Sequence, residues 1–114
     1  MSLSKDVQNN LLYQHLWNDV TEYELRLKNG DTLTLCKGMP PEKLHPDDEE
    51  VGVEYILPVK TENKWTINQW NDVFDSLGDK EGKFIHRIIM AMVTIDSTIV
   101  YYFINNGLIK PRKH

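Results

Sequence analysis

The residues that could bind a metal or transfer a proton are few and widely separated. The chain contains one cysteine, Cys36, and four histidines, none of which lies at metal-ligand spacing from the cysteine or from another histidine. It also lacks a phosphate-binding glycine motif and a serine nucleophile elbow. We therefore expect no metal site and no cofactor. The histidines are His15, His45, His86 and His114.

Two further groups of residues are candidates for binding. The cations Lys110, Arg112 and Lys113 lie close together near residue 114 and are a candidate contact for RNA phosphates; a solvated surface is the alternative. Three tryptophans offer faces for base stacking, but their positions at helix boundaries and on apolar stripes favour core packing.

Length, composition and charge restrict the class of protein. A chain of 114 residues with 40% hydrophobic and 26% charged residues predicts one globular domain, 1–114. A net charge of −4 argues against a stand-alone nucleic-acid binder. This charge comes from Pro41 to Glu50, which holds five acids and one lysine. The single cysteine excludes an internal disulfide framework and favours a reducing, intracellular compartment.

No segment predicts a membrane span or a secretion signal. The apolar runs are shorter than the ~18 residues that a spanning helix needs, and the first residues lack the basic and apolar regions of a signal peptide. We expect no direct membrane insertion.

The first half of the chain predicts a helix and three strands. The helix covers residues 6–17, with Ser4 as its N-cap. A hairpin follows in which a three-residue loop with left-handed Gly30 pairs Leu25 with Leu33 and Tyr23 with Leu35. Residues 37–50 are expected to form an exposed loop, and residues 51–60 a strand with one buried face. That face holds Val53, Tyr55 and Leu57.

The second half predicts a better-marked helix and a strand pair. Thr66 and Gln69 form a capping-box pattern, and Trp65 is placed to pack on Trp70. An apolar stripe follows, and Gly78 is expected to end the helix. A short helix at 83–87 leads to a strand at 88–95 that is buried on both faces, a turn at Asp96-Ser97 and a strand at 98–104. The stripe residues are Ile67, Trp70, Val73, Phe74 and Leu77.

The segment from Ile85 to Tyr102, with its Asp-Ser-Thr-Ile-Val-Tyr-Tyr sequence from Asp96, resembles the final strand pair of the tRNA-intron endonuclease domain family. Shorter matches occur in the same order elsewhere, at 9–13, 37–44, 55–58 and 107–111. Within the family the chain is most similar to a small non-catalytic subunit of the eukaryotic tRNA-splicing endonuclease, of the fungal type. The resemblance implies an α/β fold with a central mixed sheet flanked by helices.

The resemblance also implies a reaction. The complex removes introns from precursor tRNA without a metal, leaving 2′,3′-cyclic phosphate and 5′-hydroxyl ends, and its catalytic subunits use a tyrosine, a histidine and a lysine. These groups would serve as base, acid and cation. The catalytic lysine aligns with His86, and the strand at 51–60 contains no histidine. These departures imply a non-catalytic structural subunit with no catalytic residue of its own.

Assembly is the implied role. The resemblance implies a direct pair with the catalytic subunit called thirty-four, in a heterotetramer with subunits two and fifty-four, and contact with precursor tRNA through that complex. An isolated chain is also expected to self-pair through its exposed strand. The implied interface residues are Asp96, Ile99, Val100, Tyr101, Tyr102, Phe103, Leu108 and Ile109.

The residues leave two questions open, the activity of the isolated chain and its location. A rival hypothesis makes the chain a self-sufficient, homodimeric, metal-independent RNA endonuclease with His86 and either Tyr101 or Tyr102 as acid and base. The resemblance implies either a nuclear location or, in yeasts, the cytosolic face of the mitochondrial outer membrane, where another subunit would supply the membrane attachment.

Overall fold

The apolar stripes of the sequence assemble around one five-stranded sheet. The computed structural model describes residues 3–46, 48–61 and 64–106. The strands lie in the order β1-β2-β3-β4-β5, with β3 and β4 parallel and the other neighbours antiparallel. The predicted α/β fold with a mixed sheet is confirmed. The elements are α1 (Leu3–Tyr13), β1 (Asn18–Arg26), β2 (Thr32–Met39), β3 (Glu54–Lys60), α2 (Ile67–Glu81), β4 (Arg87–Val93) and β5 (Ile99–Asn105).

Each face of the sheet packs against one helix. Helix α2 lies in the crossover between β3 and β4 and buries its stripe in a cluster with residues of β1, β2, β3 and β4. Helix α1 packs on the opposite face through Val7 and Leu11. Strand β4 contributes Ile88 to the α2 side and Ile89 to the α1 side. Its predicted burial on both faces is confirmed in part, because Met90 and Met92 on the α2 side are only partly buried.

The first hairpin has the predicted register. Leu25 lies opposite Leu33 and Tyr23 opposite Leu35. The backbone N–H of Gly30 donates to the carbonyl of Leu27 at 3.0 Å, and Gly30 has a φ of 98°. This positive φ is the reason that glycine is needed in the loop.

The start of α2 is also as predicted. The backbone N–H of Gln69 donates to Thr66 Oγ1 at 3.2 Å, and the backbone N–H of Thr66 donates to Gln69 Oε1 at 2.9 Å. The rings of Trp65 and Trp70 lie 4.9 Å apart between centroids. One predicted stripe residue is wrong, because Ile67 is 69% exposed.

The predicted end of α2 at Gly78 is wrong. The helix continues to Glu81 and is capped by Gly82, whose φ is 71° and whose N–H donates to the carbonyl of Gly78 at 2.8 Å. The additional turn is fixed to the sheet, since the Tyr23 hydroxyl donates to the carboxylate of Glu81. The chain then passes directly into β4, so the predicted short helix at 83–87 is also wrong.

Helix α1 differs from the prediction at both ends. It begins at Leu3, so Ser4 is not its N-cap but a buried residue whose hydroxyl donates to the Glu22 carboxylate. The helix ends at Tyr13 rather than at residue 17. The chain turns there so that Trp17, with its N–H donating to the Leu11 carbonyl at 2.9 Å, reaches the buried cluster under α1.

The predicted loop at 37–50 and strand at 51–60 both need revision. Strand β2 runs to Met39, and Gly38 and Pro40 are buried, so the exposed segment is shorter than expected. Val53 precedes β3 and is 42% exposed, because the strand begins only at Glu54. Tyr55 and Leu57 are buried on one face as predicted.

An arginine that the sequence did not single out holds the acidic segment in place. The guanidinium of Arg87 binds both carboxylate oxygens of Asp48, at 3.1 and 2.9 Å, and Glu54 Oε2 at 2.8 Å. The hydrogen bond from Arg87 lowers the pKa of Asp48 below its usual value. The guanidinium also lies 4.7 Å from the ring centre of Phe103. Arg87 therefore joins the acidic segment to β3, β4 and β5.

In the described part of the chain, neither helix is long and apolar enough to cross a membrane.

Replacement of Gly82 tests the revised helix end. We expect Gly82→Ala to lower the free energy of unfolding by about 1 kcal/mol, because a Cβ is strained at positive φ. Gly52→Ala is the matched control, since its Cβ would meet no atom within 4 Å and its φ is not positive. Urea denaturation measures both variants, and equal loss in the two would contradict the cap assignment.

Replacement of Arg87 tests the ion-pair cluster. We expect Arg87→Met to lower the free energy of unfolding by about 1–3 kcal/mol at pH 7, because two carboxylates lose their partner. Lys28→Met is the control and should change it little, because the Lys28–Asp79 pair is exposed.

The same comparison has a predicted pH dependence. The pKa of Asp48 is lowered in the folded state, so its ionised carboxylate stabilises the fold. This contribution to the free energy of unfolding is fully present above the unfolded-state pKa of about 3.9 and is lost as the pH falls through the folded-state pKa. Urea denaturation from pH 6 to pH 3 should therefore show the deficit of Arg87→Met becoming smaller. A deficit that is constant over this range would show that the ion pairs are not its cause.

Candidate assembly surface

Strand β5 lies at an edge of the sheet. Within the described residues it pairs with β4 alone, in an unbroken register from Ile99–Val93 to Asn105–Arg87. The backbone groups on its outer side therefore have no strand partner there. An edge strand with apolar side chains is a template for pairing with another chain.

The predicted interface residues of β5 divide between the two faces of the sheet. Ile99 and Tyr101 pack against the cluster under α1 and are half-buried. The Tyr101 hydroxyl donates to Asn10 Oδ1 at 2.6 Å, and its burial raises the pKa of the phenol. Both side chains thus help hold α1 on the sheet, and an interface on this face would reach only their exposed parts.

The other face of β5 is open. Val100 and Tyr102 are 38% and 47% exposed, and they lie directly opposite Met92 and Met90 of β4. The buried cluster under α2 extends to Ile88 of β4, and Met90 and Met92 pack against its margin but are only partly buried. An apolar surface is thus left partly uncovered beside the free edge. We call this surface the β4–β5 strip: Met90, Met92, Val100, Tyr102 and Ile104.

A small cleft opens on the α1 face of the same strand. Phe103, which is 42% exposed, lies at the cleft together with Tyr101. The volume of about 240 Å³ is below the ~300–1,000 Å³ of typical small-molecule sites, so the cleft fits an apolar side chain better than a cofactor. The lining residues are Leu11, His15, Trp17, Leu44, Ile89, Tyr101, Tyr102 and Phe103.

Asp96 orders the turn between β4 and β5. Its carboxylate accepts hydrogen bonds from the Thr94 hydroxyl and from the backbone N–H of Thr98. The hydrogen bond from Thr94 lowers the pKa of the Asp96 carboxyl. An interface role for Asp96 stays a prediction. The adjacent Ile95 was expected in the buried strand, but β4 ends at Val93 and Ile95 is 94% exposed. The turn therefore presents an apolar side chain that the sequence analysis missed.

The residues of the rival catalytic hypothesis do not meet within one chain. His86 is exposed in the connection before β4, with its ring edge-on to Phe84 at 4.7 Å. Tyr102 lies opposite Met90, four strand positions further along, or about 13 Å at ~3.3 Å per residue. Tyr101 lies one position further and on the other face.

Other reactive groups in the described residues are constrained as well. No three metal-ligating side chains form a cluster there. The Cys36 thiol is buried, and burial raises its pKa to about 12, so it is not a nucleophile at neutral pH. The predicted interface residues Leu108 and Ile109, and the predicted RNA contacts Lys110, Arg112 and Lys113, lie outside the described residues.

The sequence indicated part of the role of Met90 and Met92 but nothing of the role of Arg87. Met90 and Met92 alternate with buried residues of β4, but only the register with β5 shows which face they share with Tyr102. Arg87 gave no signal, since its partners Asp48 and Glu54 lie 39 and 33 residues away in the chain.

Known proteins are similar to this chain over most of its length. The family model described as "Sen15 protein" matches residues 6–114. A protein of Eremothecium gossypii named "tRNA-splicing endonuclease subunit SEN15" is 34% identical over 108 residues, which cover 95% of this chain and 87% of the relative. A protein of Neurospora crassa named "Probable tRNA-splicing endonuclease subunit tsp-1" is 31% identical over 153 residues, covering 99% of this chain and 66% of the relative.

A third relative extends the similarity to a more distant sequence. A protein of Schizosaccharomyces pombe named "Probable tRNA-splicing endonuclease subunit sen15" is 26% identical over 118 residues, which cover 95% of this chain and 80% of the relative. The family match and the relatives confirm the resemblance noted in the sequence. On these findings, the chain belongs to the Sen15 protein family.

Proposed function

We propose that this chain is a non-catalytic, structural subunit of the tRNA-splicing endonuclease. Membership of the Sen15 family and the names of its relatives support a role in tRNA splicing. The observation that carries the structural role is the β4–β5 strip beside the free edge of β5. Such a surface gains free energy when another chain covers it.

Three kinds of contact are available around β5. Its edge offers backbone hydrogen bonds, the β4–β5 strip offers apolar area, and the cleft beside Phe103 accepts a side chain. The proposed direct partner is the catalytic subunit thirty-four, with subunits two and fifty-four completing a heterotetramer. Precursor tRNA would be contacted through this complex, and the chain would self-pair through β5 when isolated. Its location, nuclear or on the mitochondrial surface, stays a prediction.

The placement of titratable groups supports the non-catalytic part of the proposal. Cleavage to a 2′,3′-cyclic phosphate needs a base for the 2′-hydroxyl, an acid for the leaving oxygen and a cation for the charged transition state. His86 stands where the resemblance implies the catalytic lysine, and no histidine occurs in β3. Neither Tyr101 nor Tyr102 lies near His86 in the same chain.

Replacement of a residue of the β4–β5 strip by a charged one tests the proposed pairing. We expect Tyr102→Glu to weaken binding to co-expressed subunit thirty-four by at least about 30-fold, because an aromatic side chain at an interface centre contributes about 2 kcal/mol or more. The control is Tyr13→Glu, because Tyr13 is 73% exposed on α1, across the sheet from the strip. Size-exclusion chromatography and titration calorimetry measure the complex.

The chain without substitutions should elute with subunit thirty-four as a one-to-one complex. Separate elution of the two chains at micromolar concentration would contradict the proposed pairing, as would equal effects of Tyr102→Glu and Tyr13→Glu in variants that remain folded.

Cleavage assays distinguish the structural role from the rival enzyme. We expect the purified chain alone to leave precursor tRNA intact, including at concentrations where it forms a homodimer. In the assembled complex, His86→Ala should leave the rate of intron removal nearly unchanged. Since proton transfer contributes about 10²–10⁴-fold to such reactions, a loss of about a hundredfold or more with assembly intact would make His86 catalytic.

A further inference from the structure

Three lysines surround one tyrosine at the end of α2, on the face of the sheet that α2 covers. Lys80 Nζ lies 4.4 Å from the ring centre of Tyr23, and Lys37 Nζ lies 5.4 Å from the same ring centre. Lys83 follows the helix cap, and its charge acts on the carboxylate of Glu81. We call this cluster the Tyr23 patch: Tyr23, Lys37, Lys80, Glu81 and Lys83.

The cations of the Tyr23 patch outnumber its acid. The Tyr23 hydroxyl donates to the Glu81 carboxylate, and this hydrogen bond lowers the pKa of Glu81, to which the charges of Lys37 and Lys83 also contribute. The ionised carboxylate cancels one of the three positive charges. Lys80 donates to the backbone carbonyl of Glu24 at 2.5 Å, a neutral acceptor that leaves its charge in place. The patch is therefore positive, whereas the whole chain has a net charge of −4.

The two nearest acids of β1, Glu22 and Glu24, face the other side of the sheet. Glu22 accepts a hydrogen bond from Ser4 of α1, and Glu24 shares its face because side chains two residues apart in a strand point the same way. Tyr23 lies between them and packs against the cluster buried under α2. The alternation of the strand thus separates the three lysines from these two carboxylates.

The Tyr23 patch stays open when another chain covers β5. It is built from β1, β2 and the end of α2, and β1 forms the edge of the sheet opposite β5. Four strand spacings separate the two edges, or about 19 Å at ~4.8 Å per spacing. Lys80 and Lys83 are exposed, and Lys37 is half-buried. Pairing through β5 would therefore leave these ammonium groups accessible.

Cations grouped beside an aromatic ring are complementary to a phosphate backbone. Lysine binds phosphate as a point charge, and such contacts position a nucleic acid without reading its sequence. The Tyr23 ring attracts two of the ammonium groups through its face and so holds them near one position. The proposed function supplies the polyanion, because a subunit of the tRNA-splicing endonuclease is assembled beside precursor tRNA.

We propose that the Tyr23 patch binds the phosphate backbone of precursor tRNA in the assembled endonuclease, an inference that rests on the proposed function. Lys80 and Lys83 contact phosphate oxygens, and Lys37 adds a third charge behind them. Tyr23 and Glu81 are positioning residues that hold the ammonium groups in place. The contact contributes affinity that is independent of base sequence, and it takes no part in the cleavage step.

Charge reversal of the two exposed lysines tests this contact in the complete complex. The ligand is precursor tRNA with 2′-O-methyl groups at its cleavage sites, which cannot form the cyclic phosphate. At about 0.1 M salt we expect Lys80→Glu, Lys83→Glu to raise the Kd at least about tenfold and to make the plot of log K against log salt concentration shallower by about 1.5 to 2. The matched control Lys60→Glu, Lys64→Glu reverses two exposed lysines near the opposite end of α2 and should change neither quantity appreciably.

Chemical labelling locates the contact without any substitution. The complex is acetylated with an activated ester, with and without the methylated RNA, and the modified lysines are identified by mass spectrometry. Bound RNA should protect Lys80 and Lys83 and leave Lys60 and Lys64 reactive.

The outcomes separate this proposal from the proposed function. An assembled complex in which Lys80→Glu, Lys83→Glu leaves the RNA affinity and its salt dependence unchanged, or in which RNA protects neither lysine, would overturn this proposal alone. Loss of a subunit from the complex in that variant would also overturn it, because the patch would then bind protein. Failure of the unsubstituted chain to join the complex would contradict the proposed function and this proposal together.

Discussion

The sheet has two apolar faces, and the two helices do not cover both of them completely. Helix α1 covers one face as far as Tyr101, but on the other face the buried cluster under α2 extends only to Ile88 of β4. The remaining part of that face is the β4–β5 strip, next to an edge without a strand partner among the described residues. Covering it within this chain would need another element over β4 and β5. The simplest physical resolution is a surface supplied by a second chain.

Strand β4 connects this uncovered surface to the rest of the molecule. Its residues Ile88 and Ile89 are buried under α2 and α1, respectively, so the position of β5 depends on the packing of both helices. At the first residue of β4, Arg87 gathers the acidic segment and contacts Phe103 of β5. The proposed assembly surface and the ion pairs of Arg87 therefore lie along one pair of strands.

Local patterns predicted local structure well, and non-local contacts decided the rest. The register of the first hairpin and the capping box at Thr66 depend on residues a few positions apart, and both are confirmed. The end of α2 was wrong because a hydrogen bond from Tyr23, 58 residues away, holds Glu81 in an additional turn. Ser4 was assigned to a helix cap, but the tertiary contact with Glu22 places it inside α1.

The candidate site was predicted in outline and not in detail. An apolar strand at 99–103 was visible in the sequence, but its division into a buried and an open face required the register with β4. Ile95 was placed in the buried strand because it continues an apolar run, whereas the turn leaves it exposed. The ion pairs of Arg87 join residues distant in the sequence, so no local pattern indicates them.

We expect another chain to complete the edge of β5 and to cover the β4–β5 strip. Amide hydrogen exchange tests this expectation, measured on the isolated chain at a concentration where it is monomeric and again in complex with its proposed partner, the catalytic subunit thirty-four. We expect rapid exchange of outward-facing β5 amides in the free chain and strong protection in the complex, with little change in β1 at the opposite edge. Protection confined to β1 or α2, with β5 unchanged, would contradict it.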